Sequence, residues 1–328
     1  MRDSIAKIFA ISSFATTSYI SIYFDRIPFK DIFSIFSYGY YIQFTSVFLL
    51  KLTQMFGALI SIFILDVISV GWSNSYFYKM LFASNRSTRI DAIIYAIGLI
   101  KITPYLAIIF TLGFTYYISP IIESNLSHIN LCKILDINNI FYQVCIYFLI
   151  FTLSNYWNHR ILHTKILWPL HRLHHSASEL GPLTSYRNHP GGELITPITQ
   201  TLPIALVGAS PEVLLIVIAM NGFYQLLVHA NVQWDWGWFG RWILISPMHH
   251  RLHHSVEEDD YGKNIGIFSI WDHIFGTYKD ARSDIVCGVT DYNYNDGRSI
   301  ATMLIKDYIE TISNIISYLK IWSKTATH

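Results

Sequence analysis

The stretch that decides the fold is a six-residue word that the chain spells twice, H-R-L-H-H-S at residues 171–176 and again at residues 250–255. A related cluster, H-R-I-L-H, precedes both at residues 159–163. Most of the 14 histidines of the chain fall in or beside these three clusters. Imidazole is the commonest protein ligand for iron, zinc and copper, so the repetition predicts a metal site.

The spacing within the clusters predicts which histidines share an ion. Side chains three or four residues apart lie on one face of a helix, so His159 and His163 are expected to reach one metal together. His171 and His174 are expected to do the same, with His175 turned toward a second ion. The alternative, that the clusters are polar residues on a solvated surface, does not explain the repetition of a whole word. The pattern therefore predicts a centre with two metal ions.

The composition indicates a membrane protein. Of the 328 residues, 52% are hydrophobic and only 14% are charged, whereas soluble domains carry about 25% charged residues. The mean hydropathy is +0.35, so much of the surface must face lipid. A net charge of +1 gives no indication of a nucleic-acid partner. The three cysteines are far apart and form no CxxC motif, which argues against a disulfide framework or a thiolate metal site.

Several apolar runs approach or exceed the length of about 20 residues that a helix needs to cross a bilayer. We expect a helical hairpin, formed by Leu194–Val207 and Val213–Ala230, to dip into the membrane or just cross it. The first of the full-length runs is rich in Ser and Thr, and a targeting segment is the alternative for it. The predicted spans are Ile5–Phe24, Leu52–Trp72, Ile90–Ser119 and Asn139–Trp157.

The distribution of basic residues predicts the orientation, because cytoplasmic loops carry an excess of Lys and Arg. The segment Ser73–Arg89 contains three basic residues and no acid, whereas Pro120–Asn138 contains one Lys and two acids. Counting spans onward places the histidine clusters on the cytoplasmic face, in a plasma, inner or endoplasmic reticulum membrane. The predicted fold class is therefore all-α: a multi-span transmembrane helical bundle with a cytoplasmic helical cap that carries the histidine-rich site.

Three regions follow from this reading. Residues 1–138 form an N-terminal transmembrane region, residues 139–280 hold the histidine clusters, and residues 281–328 form a C-terminal tail. Apolar residues in the tail recur at spacings of three and four, which predicts an amphipathic helix over Ser299–Trp322 that packs on the cap or lies on the membrane. These residues are Ile305, Ile309, Ile312, Ile316 and Leu319.

From about Tyr156 to Tyr278 the chain resembles the fatty acid hydroxylase and sterol desaturase superfamily of integral-membrane, non-haem di-iron oxygenases. The resemblance implies that residues 139–280 are a catalytic domain of this kind. It also implies two iron ions, O2 as co-substrate, no bound haem or nucleotide, and an external electron donor, cytochrome b5-like or ferredoxin-like with its reductase. The motifs that carry it are, in order, N-Y-W-N-H-R-I-L-H, L-W-P-L-H-R-L-H-H-S, R-N-H-P, H-A-N, S-P-M-H-H-R-L-H-H-S and I-W-D-H-I-F-G-T-Y.

Carried over position by position, the resemblance also implies a set of metal ligands. Some relatives have a further histidine four residues before the position of His229, where this chain has Gln225. One iron would then have fewer protein ligands, or a water held by Gln225 would complete its shell. The implied ligands are His159, His163, His171, His174, His175, His229, His250, His253 and His254.

Residues around a metal commonly orient its histidine ligands through the second ring nitrogen. For His189, direct ligation of the metal is the alternative, and His273 is expected to be structural. No catalytic residue beyond the ligands is assigned. The candidates for this orienting role are His189, Gln225, Glu179, Glu193, Asp259, Asp260 and Asp272.

The predicted function is hydroxylation of a C–H bond in a lipid, which could be a fatty acyl lipid, a sterol or a related lipid. Desaturation at the same site begins with the same hydrogen abstraction and is the alternative. A non-enzymatic metal-binding membrane protein is a more distant alternative. A transporter would place its ligands in mid-bilayer on broken helices, whereas these clusters are mixed with Arg, Lys and Ser. The sequence lacks HExxH, which argues against a zinc hydrolase of that type.

Overall fold

The helix is the regular element of the part of the chain that the computed structural model describes, with two isolated β-bridges and no strand there. This agrees with the predicted all-α class. The described residues are 57–83, 85–99, 131–196, 199–200, 203–204, 207–290, 294 and 299–325. The helices are α1 (Gly57–Val70), α2 (Tyr76–Leu81), α3 (Arg86–Leu99), α4 (Leu131–Ile134), α5 (Ile140–Leu162), α6 (Trp168–His175), α7 (Pro211–His229), α8 (Gly237–Trp242), α9 (Pro247–His253), α10 (Ser269–Phe275) and α11 (Ile300–Thr325).

Ser-Pro pairs start two of the helices that carry histidines. The side chain of Ser210 accepts a hydrogen bond from the backbone N–H of Val213 (3.3 Å), and α7 begins at the next residue, a proline. Ser246 caps α9 in the same way by accepting from the backbone N–H of His249 (3.3 Å). A serine cap satisfies a free N–H of the first turn, and proline in that turn gives up no helical hydrogen bond. The starting points of α7 and α9 are thus encoded locally.

Helix α7 lies at the centre of the described core. On one side it packs against α1, where Ile62 and Leu65 meet Phe223 and Leu226. Its other side packs against the aromatic residues of α5. Because α5 and α7 pack together and both have histidines at their carboxyl ends, the two helices deliver imidazoles to one end of the bundle.

One described helix, α5, is long and apolar enough to cross a membrane, and 28% of its most apolar window is buried inside the protein. It agrees with the predicted span Asn139–Trp157 and continues past it to Leu162. Two described apolar helices are shorter, Gly57–Val70 and the Ile216–His229 part of α7. The predicted span Ile5–Phe24 lies outside the described residues. Three other predicted segments lie partly outside them: Leu52–Trp72, Ile90–Ser119 and Leu194–Val207.

The start of the predicted span Ile90–Ser119 differs from the expectation. Its first residues belong to α3, and Ile90 packs against Leu173 of the histidine helix α6. The next residue, Asp91, is fully buried and forms an ion pair with Arg187 (3.1 Å). The first two residues of the segment, Ile90 and Asp91, therefore lie inside the protein, where its one acidic side chain is paired.

The amphipathic helix predicted for the tail is α11, and it packs on α6. The packed face holds Met303, Asp307 and Thr311, and Arg172 of α6 pairs with Asp307. The predicted apolar stripe lies elsewhere on the helix and is exposed, with 60% of Ile309 accessible. The ion pair and an apolar contact of Met303 with Leu173 of α6, and not the predicted apolar stripe, hold this helix on the cap.

Candidate metal centre

Nine imidazoles converge in two neighbouring groups, and within each group the candidate ligand atoms all lie within 4.8 Å of one another. All nine side chains are buried or half-buried. The five-histidine group consists of His159, His163, His171, His175 and His253. The four-histidine group consists of His174, His229, His250 and His254.

Each H-R-L-H-H-S word is divided between the two groups. In the first word, His171 and His175 belong to the five-histidine group and His174 belongs to the other. The expectation that His171 and His174 share an ion is therefore wrong. On a helix of 3.6 residues per turn, positions four apart differ by about 40° and positions three apart by about 60° in the opposite sense. The middle histidine consequently points about 60° away from the first and about 100° away from the last, which directs it to the other group.

The second word is divided in the opposite sense. His250 and His254 belong to the four-histidine group, and His253 belongs to the five-histidine group. Helices α6 and α9 thus each supply two imidazoles to one group and one to the other. The arrangement links the two groups into a single centre.

The separation of the ring nitrogens fits the requirements of a metal ion. The Nε2 atom of His159 is 3.0 Å from Nε2 of His171 and 3.0 Å from Nε2 of His253. In the other group, Nε2 of His229 is 3.2 Å from Nε2 of His174 and 2.9 Å from Nε2 of His250. An ion about 2.1 Å from every nitrogen separates opposed ligands by about 4.2 Å. Ligands at right angles around such an ion are about 3.0 Å apart, which matches the four separations of 2.9 to 3.2 Å between the ring nitrogens.

Several of these ring nitrogens are buried without a hydrogen-bond partner in the described part of the chain. They include Nε2 of His163, Nε2 of His175 and both ring nitrogens of His254. Buried polar atoms are otherwise almost always paired, so such a concentration requires an explanation. A metal ion in each group would occupy the nitrogens that face inward.

Backbone carbonyls fix the tautomers of three ligand candidates. Nδ1–H of His159 donates to the carbonyl of Ile265 (2.8 Å), and Nδ1–H of His253 donates to the carbonyl of Lys263 (2.8 Å). Nδ1–H of His229 donates to the carbonyl of Gln225 (2.7 Å). Since a carbonyl only accepts, the proton must be on Nδ1 in all three rings. The Nε2 lone pair is then free to face the group.

Burial keeps the imidazoles neutral. Removal from water lowers the pKa of seven ligand candidates, all except His159 and His229, well below the ordinary value, and neighbouring imidazoles lower it further in all seven. Neutral imidazole is the form that binds a metal. These seven are His163, His171, His174, His175, His250, His253 and His254.

No acidic side chain that the structure describes hydrogen-bonds to any of the nine rings, which corrects the expectation of direct orientation for Glu179, Asp259, Asp260 and Asp272. Asp272 acts one layer further out. It accepts hydrogen bonds from the backbone N–H groups of Ile265 (2.8 Å) and Gly266 (2.9 Å), which hold the carbonyl that orients His159. Asp260 is buried between Lys279 and Arg282, at 2.6 Å from each.

The remaining candidates for an orienting role lie elsewhere. Glu179 pairs with Lys79 at 2.8 Å, and Asp259 contributes only its carbonyl, which accepts from Lys279. The side chain of Glu193 is outside the described set. Neither acid that is described contacts a ligand candidate.

His189 has no ring nitrogen available for a metal. Its Nε2–H donates to the carbonyl of Leu304 in α11 (2.8 Å), and its Nδ1 accepts from the backbone N–H of Gly191 (2.9 Å). Direct ligation by His189 is thereby disfavoured, and its contacts tie the tail helix to the cap. His249 and His273 also lie outside both groups, with His249 bonded to Ser246 and Tyr278 and His273 stacked on Trp242.

Sequence reasoning did not identify the role of Arg187. Its guanidinium donates to the carbonyl of Leu173 (2.9 Å) and to the hydroxyl of Ser176 (2.6 Å), which flank His174 and His175. Its partner is Asp91, and the pair is almost completely buried. This contact fixes the carboxyl end of α6, the point where one helix serves both histidine groups. A lone Asp in a predicted membrane span was the one sequence signal that could have revealed it.

A cavity of about 250 Å³ adjoins both groups. Its wall includes His159 and His171 from the five-histidine group, and His174 and His250 from the other. Gln225 also lines it, and Nε2–H of this residue donates to Oδ1 of Asn221 (3.4 Å). The cavity gives a small molecule access to the centre from one side.

Comparison with known proteins places the centre in context. Residues 144–277 match the fatty acid hydroxylase family model, which confirms the resemblance to the superfamily and lies inside the predicted region 139–280. Human (Homo sapiens) alkylglycerol monooxygenase is 34% identical over 137 residues, which are 41% of this chain and 30% of that protein. Ornithine lipid hydroxylase OlsE of Rhizobium tropici is 33% identical over 142 residues, 42% of each chain.

A plant protein, methylsterol monooxygenase 1-3 of Arabidopsis thaliana, is 29% identical over 150 residues, which are 43% of this chain and 49% of that protein. The chain thus spans between 30% and 49% of the length of these three relatives. No solved structure matches the chain.

Proposed function

We propose, from the match of residues 144–277 to the fatty acid hydroxylase family model, that this protein is a membrane oxidoreductase that hydroxylates a C–H bond of a lipid. The observation that carries the proposal is the pair of adjoining groups of buried or half-buried, neutral imidazoles within the matched residues. The relatives named above are lipid hydroxylases or monooxygenases by name. Nine imidazoles exceed the three protein ligands that a catalytic zinc site usually has, which favours two redox-active ions.

In the proposed reaction, a C–H bond of the lipid and the O–O bond of O2 break, and a C–OH bond forms. One oxygen atom enters the product and the other leaves as water, with two protons and two electrons supplied from outside. Two iron ions, when bound, would supply the redox chemistry that activates O2. A cytochrome b5-like or ferredoxin-like donor with its reductase is the proposed source of electrons.

The contribution of the protein itself is to hold the imidazoles neutral and aligned. The carbonyls of Ile265, Lys263 and Gln225 keep three Nε2 lone pairs facing inward. Arg187 fixes the end of α6. The nine histidines are proposed as the metal ligands, five for one ion and four for the other.

We also propose that the chain is a multi-span membrane protein with the histidine centre in a cytoplasmic cap. Helix α5 supports this, because it is long and apolar enough to cross a bilayer and ends at the five-histidine group. The basic segment Ser73–Arg89 is tied to the cap through the ion pair of Lys79 with Glu179, so segment and cap share one side. The exposed apolar stripe of α11 would rest on the surface of the membrane.

The test is to incubate the iron-loaded, full-length protein with membrane lipids, an electron donor and ¹⁸O2, and to analyse the lipids by mass spectrometry. We expect one labelled oxygen in a lipid product. Production should be lost in the His174→Ala and His253→Ala variants, one from each group, and retained in a His273→Ala control. A new double bond without label would favour the desaturase alternative. Label formation by folded His174→Ala and His253→Ala proteins would contradict the site assignment.

A further inference from the structure

The faces of α5 and α7 that carry ligand candidates also carry amide side chains next to the histidines. Along α5 the sequence places Asn155, His159 and His163 four residues apart, and along α7 it places Asn221, Gln225 and His229 at the same spacing. Four residues advance about 6 Å along a helix and stay on one face. An amide therefore follows the imidazoles about one turn further from the carboxyl end of each helix, in helices that are otherwise strongly apolar.

These amides face the cavity beside the centre. Two more segments of the chain add amides to the same wall, so that six of the described lining residues are Asn or Gln. No Asp, Glu, Lys or Arg side chain belongs to the described lining. The six amides are those of Asn155, Asn158, Asn188, Gln200, Asn221 and Gln225.

The protein itself satisfies these amides only in part. Oδ1 of Asn158 accepts from the hydroxyl of Thr199 (2.6 Å), and Gln225 donates to Asn221 over a long 3.4 Å. The Nδ2 group of Asn221 and the Oε1 atom of Gln225 have no partner among the described residues. An amide placed in an apolar helix bundle is unfavourable unless something hydrogen-bonds to it. Both donors and acceptors are thus left for an occupant of the cavity.

We infer that the substrate is a lipid whose uncharged polar region, with hydroxyl, ether, ester or amide groups, binds in this cavity, and that the oxidised carbon lies in or next to that region. The inference rests on the proposed function, since it names the substrate class of the same site. Amides donate and accept without charge, which suits such groups. A carboxylate or a phosphate is typically held by Arg or Lys, which the described lining lacks.

The size of the cavity supports the same assignment. At about 250 Å³, it is smaller than the pockets of about 300–1,000 Å³ that enclose whole small ligands. It has room for the polar end of a lipid, with the chains outside. Because the wall holds imidazoles from both groups, the part of the lipid that enters is also the part next to the metal centre.

The first experiment locates the label in the ¹⁸O2 product of the full-length, iron-loaded protein by tandem mass spectrometry. Label on the polar region, or on the chain carbons bonded to it, is the expected result. Label in the middle or at the end of an acyl chain would overturn the inference while leaving lipid hydroxylation intact. No labelled lipid at all would instead contradict the proposed function, and binding then decides the inference.

The second experiment measures binding to the metal-loaded protein without reductant, so that no turnover occurs. The probes share a 16-carbon chain: 1-O-hexadecylglycerol, N-palmitoylethanolamine, palmitate and hexadecane. We expect the two neutral polar probes to bind at least about tenfold more tightly than palmitate or hexadecane, which corresponds to about one hydrogen bond. Equal binding of all four probes, or preference for palmitate, would overturn the inference.

Variants then test whether the amides are responsible. Asn155→Leu and Asn221→Leu should each weaken binding of the neutral polar probes about tenfold and leave hexadecane unaffected. The matched control is Asn138→Leu, an exposed amide near the opposite end of α5. If both cavity variants fold, as judged by their metal content, and bind all four probes as the wild type does, the amides do not select the substrate.

Discussion

The two histidine groups are built from the same parts but are not equal. Helices α6 and α9 divide their H-R-L-H-H-S words between the groups in opposite senses, so each group receives three imidazoles from the repeated words. The difference comes from the third helix at each group. Helix α5 supplies His159 and His163, four residues apart, whereas α7 supplies His229 and has Gln225 four residues earlier.

This comparison identifies the position at which the two groups differ as candidate metal sites. The amide of Gln225 occupies the position on α7 that corresponds to an imidazole on α5, and it lines the cavity beside the four-histidine group. An ion held by four imidazoles retains more open coordination positions than one held by five. We therefore expect the four-histidine group to be the more labile site and the one that admits small ligands.

Removing one imidazole from each group tests whether the four-histidine group holds its ion less tightly than the five-histidine group. This experiment should have the largest effect. His254→Ala leaves three imidazoles, and we expect this variant to lose one ion per chain and roughly 100-fold or more of its activity. His163→Ala leaves four, as many as the other group has naturally, so its ion should be retained. Metal content after gel filtration measures both. Equal metal loss in the two variants would refute the inequality.

Disruption of the buried ion pair between Arg187 and Asp91 should weaken metal binding in both groups alike. Arg187 fixes the end of α6, where His174 and His175 serve different groups. Because Arg187→Leu leaves the Asp91 carboxylate buried without its partner, we expect a loss of about 3–5 kcal/mol in the free energy of unfolding. Denaturant titration in detergent measures this loss, and metal analysis should show weakened binding of both ions.

A double variant provides the control for that experiment. Arg187→Leu with Asp91→Leu removes the unpaired charge and should recover part of the lost stability. The metal affinity should remain low, because the contacts to Leu173 and Ser176 are still missing. Loss of one ion only, in either variant, would show that α6 does not couple the groups.

Much of the centre follows from the sequence because the motifs are local. The H-R-L-H-H-S words fix which residues share a helix, and the Ser-Pro pairs fix where α7 and α9 start. The helical class is therefore predictable from the residues themselves, whereas the set of nine histidines was implied by the resemblance to the family. The assignment of His174 was wrong because a spacing of three restricts a side chain to one face only approximately, and the position of the other helices decides which group it joins.

Features that depend on distant segments were harder to predict. Carbonyls of residues such as Ile265 orient the rings, and no sequence pattern marks a carbonyl for that role. The apolar stripe of α11 predicted the helix but not its packed face, because Asp307 docks against Arg172 from a position 135 residues away. The pairing of Asp91 with Arg187 is of the same kind, with 96 residues between them.

Acidification should release the ions of the two groups at different pH values, because protons compete with the metal for the imidazole nitrogens. Burial lowers the pKa of seven ligand candidates in the folded chain, whereas in the unfolded chain histidine titrates near pH 6.5. The unfolded state therefore binds more protons below about pH 6.5, so the stability of the metal-free protein is present above that pH and falls as the pH falls.

The metal-loaded protein should show the same trend in two steps. As the pH is lowered from about 7 to about 5, around the ordinary pKa of histidine, the ion held by four imidazoles should leave first. Dialysis at a series of pH values, followed by metal analysis, measures the release. Simultaneous loss of both ions would indicate that the two groups hold metal equally well.

Gln225→His gives the smallest and most specific change, because among the residues spaced by four on the ligand-bearing faces of α5 and α7 only this position differs between the two helices. A fifth imidazole four residues before His229 would make the two groups alike. We expect the ion of the four-histidine group to resist chelators about tenfold longer. This corresponds to a gain of about 1.4 kcal/mol in the free energy of metal binding. Turnover should fall, because the new ring takes an open position and fills part of the cavity.

The matched control for that variant is Gln225→Leu, which removes the amide without adding a ligand. It should leave chelator resistance unchanged and weaken only the binding of lipids with a neutral polar region. If Gln225→His and Gln225→Leu respond alike, Gln225 is not a gap in the coordination shell, and the difference between the groups arises from the cavity alone. If they differ as expected, the two variants separate the two functions proposed for this position. The first is to leave a coordination position of the metal open, and the second is to bind the polar region of the substrate.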